Sequence, residues 1–437
     1  MLLEFKAKNF KSFKEELVFS LIPAPKQKGL DFSILNKKIG SKKYKGLSSA
    51  VIYGPNASGK TNIIGSMDVF KSIILRGNIR NSDTKNVSNI STNALEVIPN
   101  SNLEQPEPIE FSIKFIENDL YIQYDLSIDI GAFLDVEYPR KILSEILTVN
   151  EEIVFHRKEK LDFGSLKNIK SYLINEFEDN YNSAVTLARG NLNYEELFLA
   201  NGFKAMFSSK LVNIIMNWLD NKFMVIYRAD ALHLVQKLSE PKKHTVYIEK
   251  TTNEAAKLFG ITSNAIGYVF SEEDTESKLC SIFKDKNAAV AAEMFESYGT
   301  IRFVNIFPLV IKAISTGGTL VVDEFDASLH PMALMSIINI FHNDDINKNN
   351  AQLIFNTHNP IFLNSNLFRR DEIKFVERDD ETHFSKHYSL SDFGTTGDKG
   401  VRLHEDYMNK YFISQYGAIK DIDFTPIFEG LLNDREV

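Results

Sequence analysis

Eight consecutive residues, Gly54-Pro55-Asn56-Ala57-Ser58-Gly59-Lys60-Thr61, fit the pattern GxxxxGK[ST]. They fall where that pattern has chemical meaning, between the short apolar run Ser49-Ala50-Val51-Ile52-Tyr53 and a stretch with helical periodicity. Glycines let main-chain N–H groups wrap a phosphate, and the start of the following helix adds the positive end of its dipole. Lys60 is then placed to meet β- and γ-phosphates and Thr61 to hold Mg2+, with Asn62 completing the expected ATP-binding stretch.

Far downstream, Thr319-Leu320-Val321-Val322-Asp323-Glu324 reads as a buried strand ending in two carboxylates. Ligands of α/β sheets bind at that edge. Asp323 is the expected partner of Mg2+ and Glu324 the expected base for an attacking water. The alternative is a surface acidic pair capping the next helix. A third element, Asn356-Thr357-His358, closes the next apolar strand and would turn His358 toward a γ-phosphate. Glu296-Ser297-Tyr298-Gly299-Thr300 stands immediately before an apolar helix, and Ser-x-Gly at a helix start is an anion-binding shape, although in isolation it is also an ordinary N-cap.

The elements that must position these residues can be read from period and punctuation. Residues 1–20 hold two short strands, LLEFKAK and ELVFSL. A lysine-rich loop carries Lys26, Lys28, Lys37, Lys38, Lys42, Lys43 and Lys45, and after the glycine-rich turn a helix runs from Thr61 to Leu75. A polar linker, 77–101, precedes an antiparallel meander, with Asn118-Asp119 as one tight turn. From about 165 to 293 the pattern reads as helices, and from 294 helix and strand alternate as in a parallel sheet.

Bulk composition narrows the class. At 437 residues the chain has room for two or three folding units, and 43% hydrophobic with 25% charged residues is ordinary for a globular protein. The net charge of -8 argues against a surface that binds polyanions as a whole, leaving only the Lys26–Lys45 run as a local basic candidate or a solvated loop. Cys280 is the single cysteine, so one chain can form neither an internal disulfide nor a thiolate cluster, and it reads as a small buried hydrophobe. The N-terminus shows no leader and no 18-residue apolar run occurs, which gives the expectation of a bacterial cytoplasmic protein without a membrane span. His383 and His387 sit in an exposed-looking strand pair, and Asp421-Ile422-Asp423 reads as surface acid.

Taken in order, phosphate loop, Ser-x-Gly helix start, apolar strand with Asp-Glu, and strand-end histidine, the chain resembles the ABC ATPase class in its RecF, SMC and OLD-nuclease branch. NFKSF, GPNASGKTN, ESYGT, VVDEFDASLHP, IFNTHNPIFL, FRRDEIKFVE and YGAIKDID are similar to landmarks of stand-alone ABC ATPases of bacterial anti-phage defence, such as RloA-like and AbiL-type proteins and AriA of PARIS. They span residues 1 to about 423, although the middle contributes little. The fold that this resemblance implies is α/β: an ABC ATPase head with an antiparallel β subdomain, a parallel α/β core and a helical insertion. The divisions expected are 1–164, 165–293 and 294–437.

The resemblance also assigns roles. Ser297, Gly299 and Thr300 would be the signature that touches the γ-phosphate held by a partner head, although ESYGT departs from the LSGGQ of transporters. Asp326, Ala327 and Ser328 match the loop that crosses the same interface, and Gln105 is the candidate for the Q-loop by position alone. The implied cofactors are ATP and Mg2+, and the implied activity is ATP hydrolysis, which could be slow and regulatory. The expected partners are a second copy or larger homo-oligomer, a separate effector such as a Toprim or RloB-like nuclease, and a phage protein as trigger. The competing reading is a RecF- or SMC-like clamp on DNA, which net charge does not support. A transporter motor is disfavoured by the signature and by the 165–293 stretch.

Overall fold

The computed structural model describes the chain apart from residues 26, 28, 81–96, 104, 136–137, 176, 228–245, 248–249, 259–264, 270–277, 287, 396–399 and 434–437. β1 (Leu2–Lys8) and β2 (Leu17–Ser20) pair antiparallel. The lysine-rich stretch folds into a hairpin, β3 (Ile34–Ile39) and β4 (Lys42–Leu47). Lys37 pairs with Asp119 at 2.9 Å and Lys42 pairs with Glu151, so two of its cations meet acids on turns of a neighbouring sheet. Lys26 and Lys28 lie outside the described residues.

β5 (Ser49–Tyr53) is buried along its whole length, with Ala50 and Ile52 in one core and Val51 and Tyr53 in the other. A continuous apolar run is what a strand covered on both faces requires. α1 (Lys60–Arg76) follows and buries Ile63, Ile64, Met67, Phe70, Ile73 and Ile74, the face its periodicity marks. β6 (Ile109–Glu117), β7 (Leu120–Asp129), β8 (Lys141–Val149), β9 (Glu152–Arg157) and β10 (Leu161–Phe163) form the meander, giving a seven-stranded sheet of order β10-β9-β8-β7-β6-β1-β2. Asn118 and Asp119 take φ of 48° and 57°, the left-handed pair of a two-residue hairpin turn.

α2 (Phe177–Gly190), a helical stretch over 199–206 and α3 (Ser209–Asn217) pack under this sheet. Beyond Lys222 the helical reading of 165–293 holds at Lys250–Leu258 and Ala292–Phe295, while strands occupy other segments that it gave to helix. β11 (Phe223–Ile226) joins the parallel sheet, and β12 (Val246–Tyr247), β13 (Ala265–Val269), β14 (Lys278–Phe283) and β15 (Ala288–Ala291) form a separate antiparallel sheet, with α4 (Lys250–Leu258) between β12 and β13. Runs of four to six residues are too short for periodicity to separate strand from helix, and Ile266, Tyr268, Val269 and Phe283 carry the branched or aromatic side chains that favour the strand.

The remaining elements are α5 (Tyr298–Thr316), β16 (Thr319–Val322), α6 (Pro331–His342), β17 (Gln352–Asn356), β18 (Ile373–Arg378), β19 (Ser385–Ser389), α7 (Tyr407–Phe412) and α8 (Thr425–Asn433). Their sheet has the order β11-β16-β17-β5-β18-β19, parallel throughout except for β18 with β19. The helix expected between β17 and β18 is reduced to one turn, Pro360–Phe362, because Asn359 and Asn364 bond neighbouring main-chain N–H groups and favour turns.

The sheet draws strands from all three expected segments, 1–164, 165–293 and 294–437, since β5 lies between β17 and β18 and β11 flanks β16. Gln352 ties the two sheets: its side-chain amide accepts from Leu2 N and donates to the carbonyls of Leu2 and Leu47. His383 is exposed as expected. His387 is not: it packs 5.6 Å from the Phe19 ring, and burial with Lys374 nearby lowers its imidazole to about 3. Asp421 and Asp423 are exposed ahead of α8, and Cys280 is buried. Among the described residues no helix is long and apolar enough to cross a membrane.

Candidate functional site

The glycine-rich turn is built by close approach. A β-carbon on Gly54 would lie 2.2 Å from the Val376 carbonyl oxygen, and one on Gly59 would lie 2.7 Å from Ser385 Oγ and 2.8 Å from Ser12 Oγ. Ala57 and Gly59 have φ of 62° and 114°, and such alternation of backbone hand forms the concave nest of N–H groups that holds an anion. Behind the loop, Ser385 Oγ bonds Ser12 Oγ at 2.7 Å and the Ser58 carbonyl at 2.6 Å, while Asn62 Nδ2 donates to Ser12 Oγ. Ser12 thus gives the NFKSF landmark a physical task, bracing the phosphate loop from β1's side of the molecule.

Lys60 Nζ donates to the carbonyls of Gly54 and Pro55 at 2.7 and 3.0 Å. Burial lowers its pKa to about 8, against the raising effect of Asp323, Glu324 and Asp326. Thr61 Oγ1 donates to Asp323 Oδ1 at 3.1 Å, bringing together two residues read separately from the sequence. One hydroxyl beside one carboxylate suits Mg2+, which takes its other ligands from phosphate oxygens and water.

Asp323 is 3% exposed, and its Oδ1 also accepts from Asn356 Nδ2 at 2.5 Å. Glu324 has φ of 49°, a left-handed state costing a residue with a β-carbon on the order of 1–3 kcal/mol. Its peptide is fastened on both sides: the N–H donates to Asn356 Oδ1, and the carbonyl accepts from Arg302 Nη2. The Glu324 side chain is exposed and shares a cleft of about 280 Å3 with residues 56–62, Asn356, His358 and Arg378. Desolvation and the charge of Lys60 push the His358 imidazole below its ordinary value, partly offset by Asp326, Glu324 and Asp323, which keeps it neutral at pH 7.

The Ser-x-Gly helix start stands apart from this cleft. Ser297 caps α5, its Oγ accepting from Thr300 N at 3.2 Å, and it is exposed beside Met294, Phe295 and Tyr298, which are 82%, 53% and 57% exposed. A β-carbon on Gly299 would lie 2.4 Å from the Ser328 carbonyl oxygen, so the helix start and the 326–328 loop form one surface. That loop turns through Ala327 N to Glu324 O and the positive φ of Ser328. None of Ser297, Gly299, Thr300, Ala327 and Ser328 lines the cleft, and Asp326 acts on it through its charge.

Gln105 is exposed in the connection before β6 and does not line the cleft either, so position before the second set of strands did not place it there. Sequence reading gave no role to Arg302, Arg378, Ser12 or the side chain of Asn356. Asn356 carried a usable signal, a polar residue directly after the buried apolar run Leu353-Ile354-Phe355. Arg302 carried a weaker one, a charge in the apolar run of α5.

A family model described as AAA domain, putative AbiEii toxin, Type IV TA system matches residues 49–364. No curated protein matches the sequence. Among solved structures, the SmcHead bound to the C-winged helix domain of ScpA overlaps with a TM-score of 0.38 at 13% identity, covering 89% of this chain and 97% of that one. The SMC head domain from Thermotoga maritima gives 0.34 at 12%, covering 89% and 98%. The Pyrococcus furiosus Smc head domain with an extended coiled coil, bound to the C-terminal domain of ScpA, gives 0.36 at 13%, covering 89% and 96%.

Proposed function

The chain belongs to the AAA domain family described as putative AbiEii toxin, Type IV TA system, and from that premise we propose that it is an ATPase of the ABC type whose two composite sites form when two copies pair. The observation that carries this reading is the convergence of Lys60, Thr61, Asp323, Asn356 and Glu324 around one cleft while Ser297, Gly299 and Ser328 share a separate exposed surface. A site complete on one side and a phosphate-binding helix start on another call for a second copy to bring them together.

In the proposed site the loop 54–59 cradles the β- and γ-phosphates and Lys60 leaves its two carbonyl partners to neutralise them. Thr61 and Asp323 would hold Mg2+, which when bound withdraws charge from the phosphate oxygens. Glu324 accepts a hydrogen bond from the attacking water and takes its proton as the bond to phosphorus forms and ADP leaves. His358 donates a ring N–H to a γ-phosphate oxygen. Ser297 and the main chain at Gly299 of a second copy would close the far side of the phosphate. ATP would then act as a reversible link between copies, and hydrolysis would release them.

We assign the output to a separate effector, such as a Toprim or RloB-like nuclease, within an anti-phage defence system, with a phage protein as trigger. The family description names a putative toxin and a Type IV TA system, which supports a role within such a system; the separate effector and the trigger are the proposal's own. The test is the light-scattering mass of Glu324→Gln with and without Mg-ATP, alone and co-expressed with its genomic neighbour. Turnover should fall about 10²- to 10⁴-fold while ATP binding survives and dimers accumulate. Normal turnover would remove Glu324 from the base role. Stimulation of the native protein by duplex DNA, with no neighbour retained, would move the assignment to a DNA clamp.

A further inference from the structure

We infer that Arg302 is a positioning residue that couples the two composite sites, by fastening the helix start that meets one nucleotide to the base that acts on the other. The inference rests on the roles proposed for Glu324 and for Ser297 with Gly299. Arg302 follows Ser297 by five residues, about one and a half turns along α5. Its side chain is 5% exposed. Nη2 donates to the Glu324 carbonyl and reaches the Asp323 carbonyl at 3.5 Å.

Glu324 is the residue most in need of such a hold. Its φ of 49° persists only where surrounding contacts over-determine it. Three contacts do so: Asn356 Oδ1 on the N–H side, and Ala327 N together with Arg302 on the carbonyl side. The Asn356 amide belongs to the same chain's cleft, since its Nδ2 also holds Asp323, which accepts from Thr61. Arg302 belongs to the other side, the helix whose first turn faces the second copy.

A chain of direct contacts therefore runs from the start of α5 through Arg302 to the Glu324 peptide, and through Asn356 and Asp323 to Thr61. Further along α5, Pro308 removes one main-chain hydrogen bond from the helix interior and gives the segment 298–307 a place to pivot. When the second copy's γ-phosphate engages Ser297, movement of that segment carries Arg302, and with it the aim of the Glu324 carboxylate. Each base is thereby set by the occupancy of the opposite site, and hydrolysis becomes cooperative in ATP.

The experiment compares full-length native protein with Arg302→Gln and Arg302→Lys, measuring mant-ATP binding with Mg2+, ATP-dependent mass, and steady-state hydrolysis over a range of ATP concentrations. The native rate should rise sigmoidally with ATP. Arg302→Gln should bind mant-ATP within about twofold and still dimerise, yet turn over some 10- to 100-fold more slowly with a hyperbolic dependence, a coupling loss in the range typical of linked sites. Arg302→Lys, which keeps one donor, should fall between. Unchanged turnover with unchanged sigmoidality in Arg302→Gln would overturn the inference, as would a hyperbolic native enzyme, or loss of turnover in step with loss of mant-ATP binding in both variants. A native protein that does not hydrolyse ATP, or a Glu324→Gln protein at full rate, would instead remove the reading on which the coupling rests.

Discussion

Lys60 concentrates the electrostatics of the cleft in one group. Its ammonium is held down to about 8 by burial although three carboxylates favour the charged form. A bound triphosphate would strengthen the charged form, so above pH 8 ATP binding must take up a proton. The dissociation constant for mant-ATP should be flat below pH 8 and rise by up to about tenfold per unit above it, measured at fixed free Mg2+. The stability of the nucleotide-free protein has the opposite trend: the unfolded chain binds this proton up to about pH 10.4, so the Lys60 contribution grows between pH 8 and that value. Lys60→Ala should weaken ATP binding by about 100-fold or more while leaving the fold intact, as judged by circular dichroism. The phosphate loop was legible because its chemistry needs contiguous residues with fixed backbone needs. The Asp323–Glu324 pair was legible because a buried strand rarely ends in two acids without cause. Arg302 was not, because its partners lie 21 and 22 residues away and nothing local announces them.

At the scale of elements, Glu145 shows how one buried acid fixes a junction. It occupies an inward position of β8, accepts from Phe198 N and Leu199 N at 2.7 Å and from Tyr124 OH at 2.8 Å, and faces Arg157, itself 3% exposed. It anchors the start of the helical stretch 199–206 to the antiparallel sheet. Glu145→Leu should cost about 3–5 kcal/mol in urea unfolding, because Arg157 would remain as an uncompensated buried charge, and a second change, Arg157→Met, should recover part of that loss. The meander itself was legible from strict alternation and from Asn118-Asp119. Beyond Lys222 the helix Lys250–Leu258 was legible but the strands were not, since they are too short for their period to speak, and their pairing is set by partners rather than by propensity. His387 was misjudged for a related reason: β19, at the edge of its sheet, packs against β2 and Phe19 at the edge of the other, a contact that the sequence does not show. Its lowered pKa means that the folded state resists its protonation, so its contribution is constant above pH 6.5 and falls as pH drops toward 3. The stability of His387→Leu relative to the native protein should therefore rise as pH falls below 6.5, read from melting temperatures across that range.

For the whole molecule, the proposed pairing of copies rests on the surface shared by α5's start and the 326–328 loop. Gly299→Ala would place a β-carbon 2.4 Å from the Ser328 carbonyl oxygen, in a backbone contact that cannot rotate away. ATP binding in the cleft should survive, and the ATP-dependent dimer should weaken at least tenfold in sedimentation velocity. A further consequence comes from the position of β5 in the sheet. It lies between β17 and β18, so its two hydrogen-bonded neighbours are made roughly 300 residues after it, about 15–60 s later at 5–20 residues per second on a ribosome. Throughout that interval the phosphate loop lacks the strands that flank β5, and the proposed ATP site is incomplete. On that reading a chain cut short before β18 would not hydrolyse ATP, so interrupted synthesis would not release a head that consumes it without restraint. The cost falls on the cell's folding machinery, which must shield the largely apolar SAVIY strand until its partners arrive.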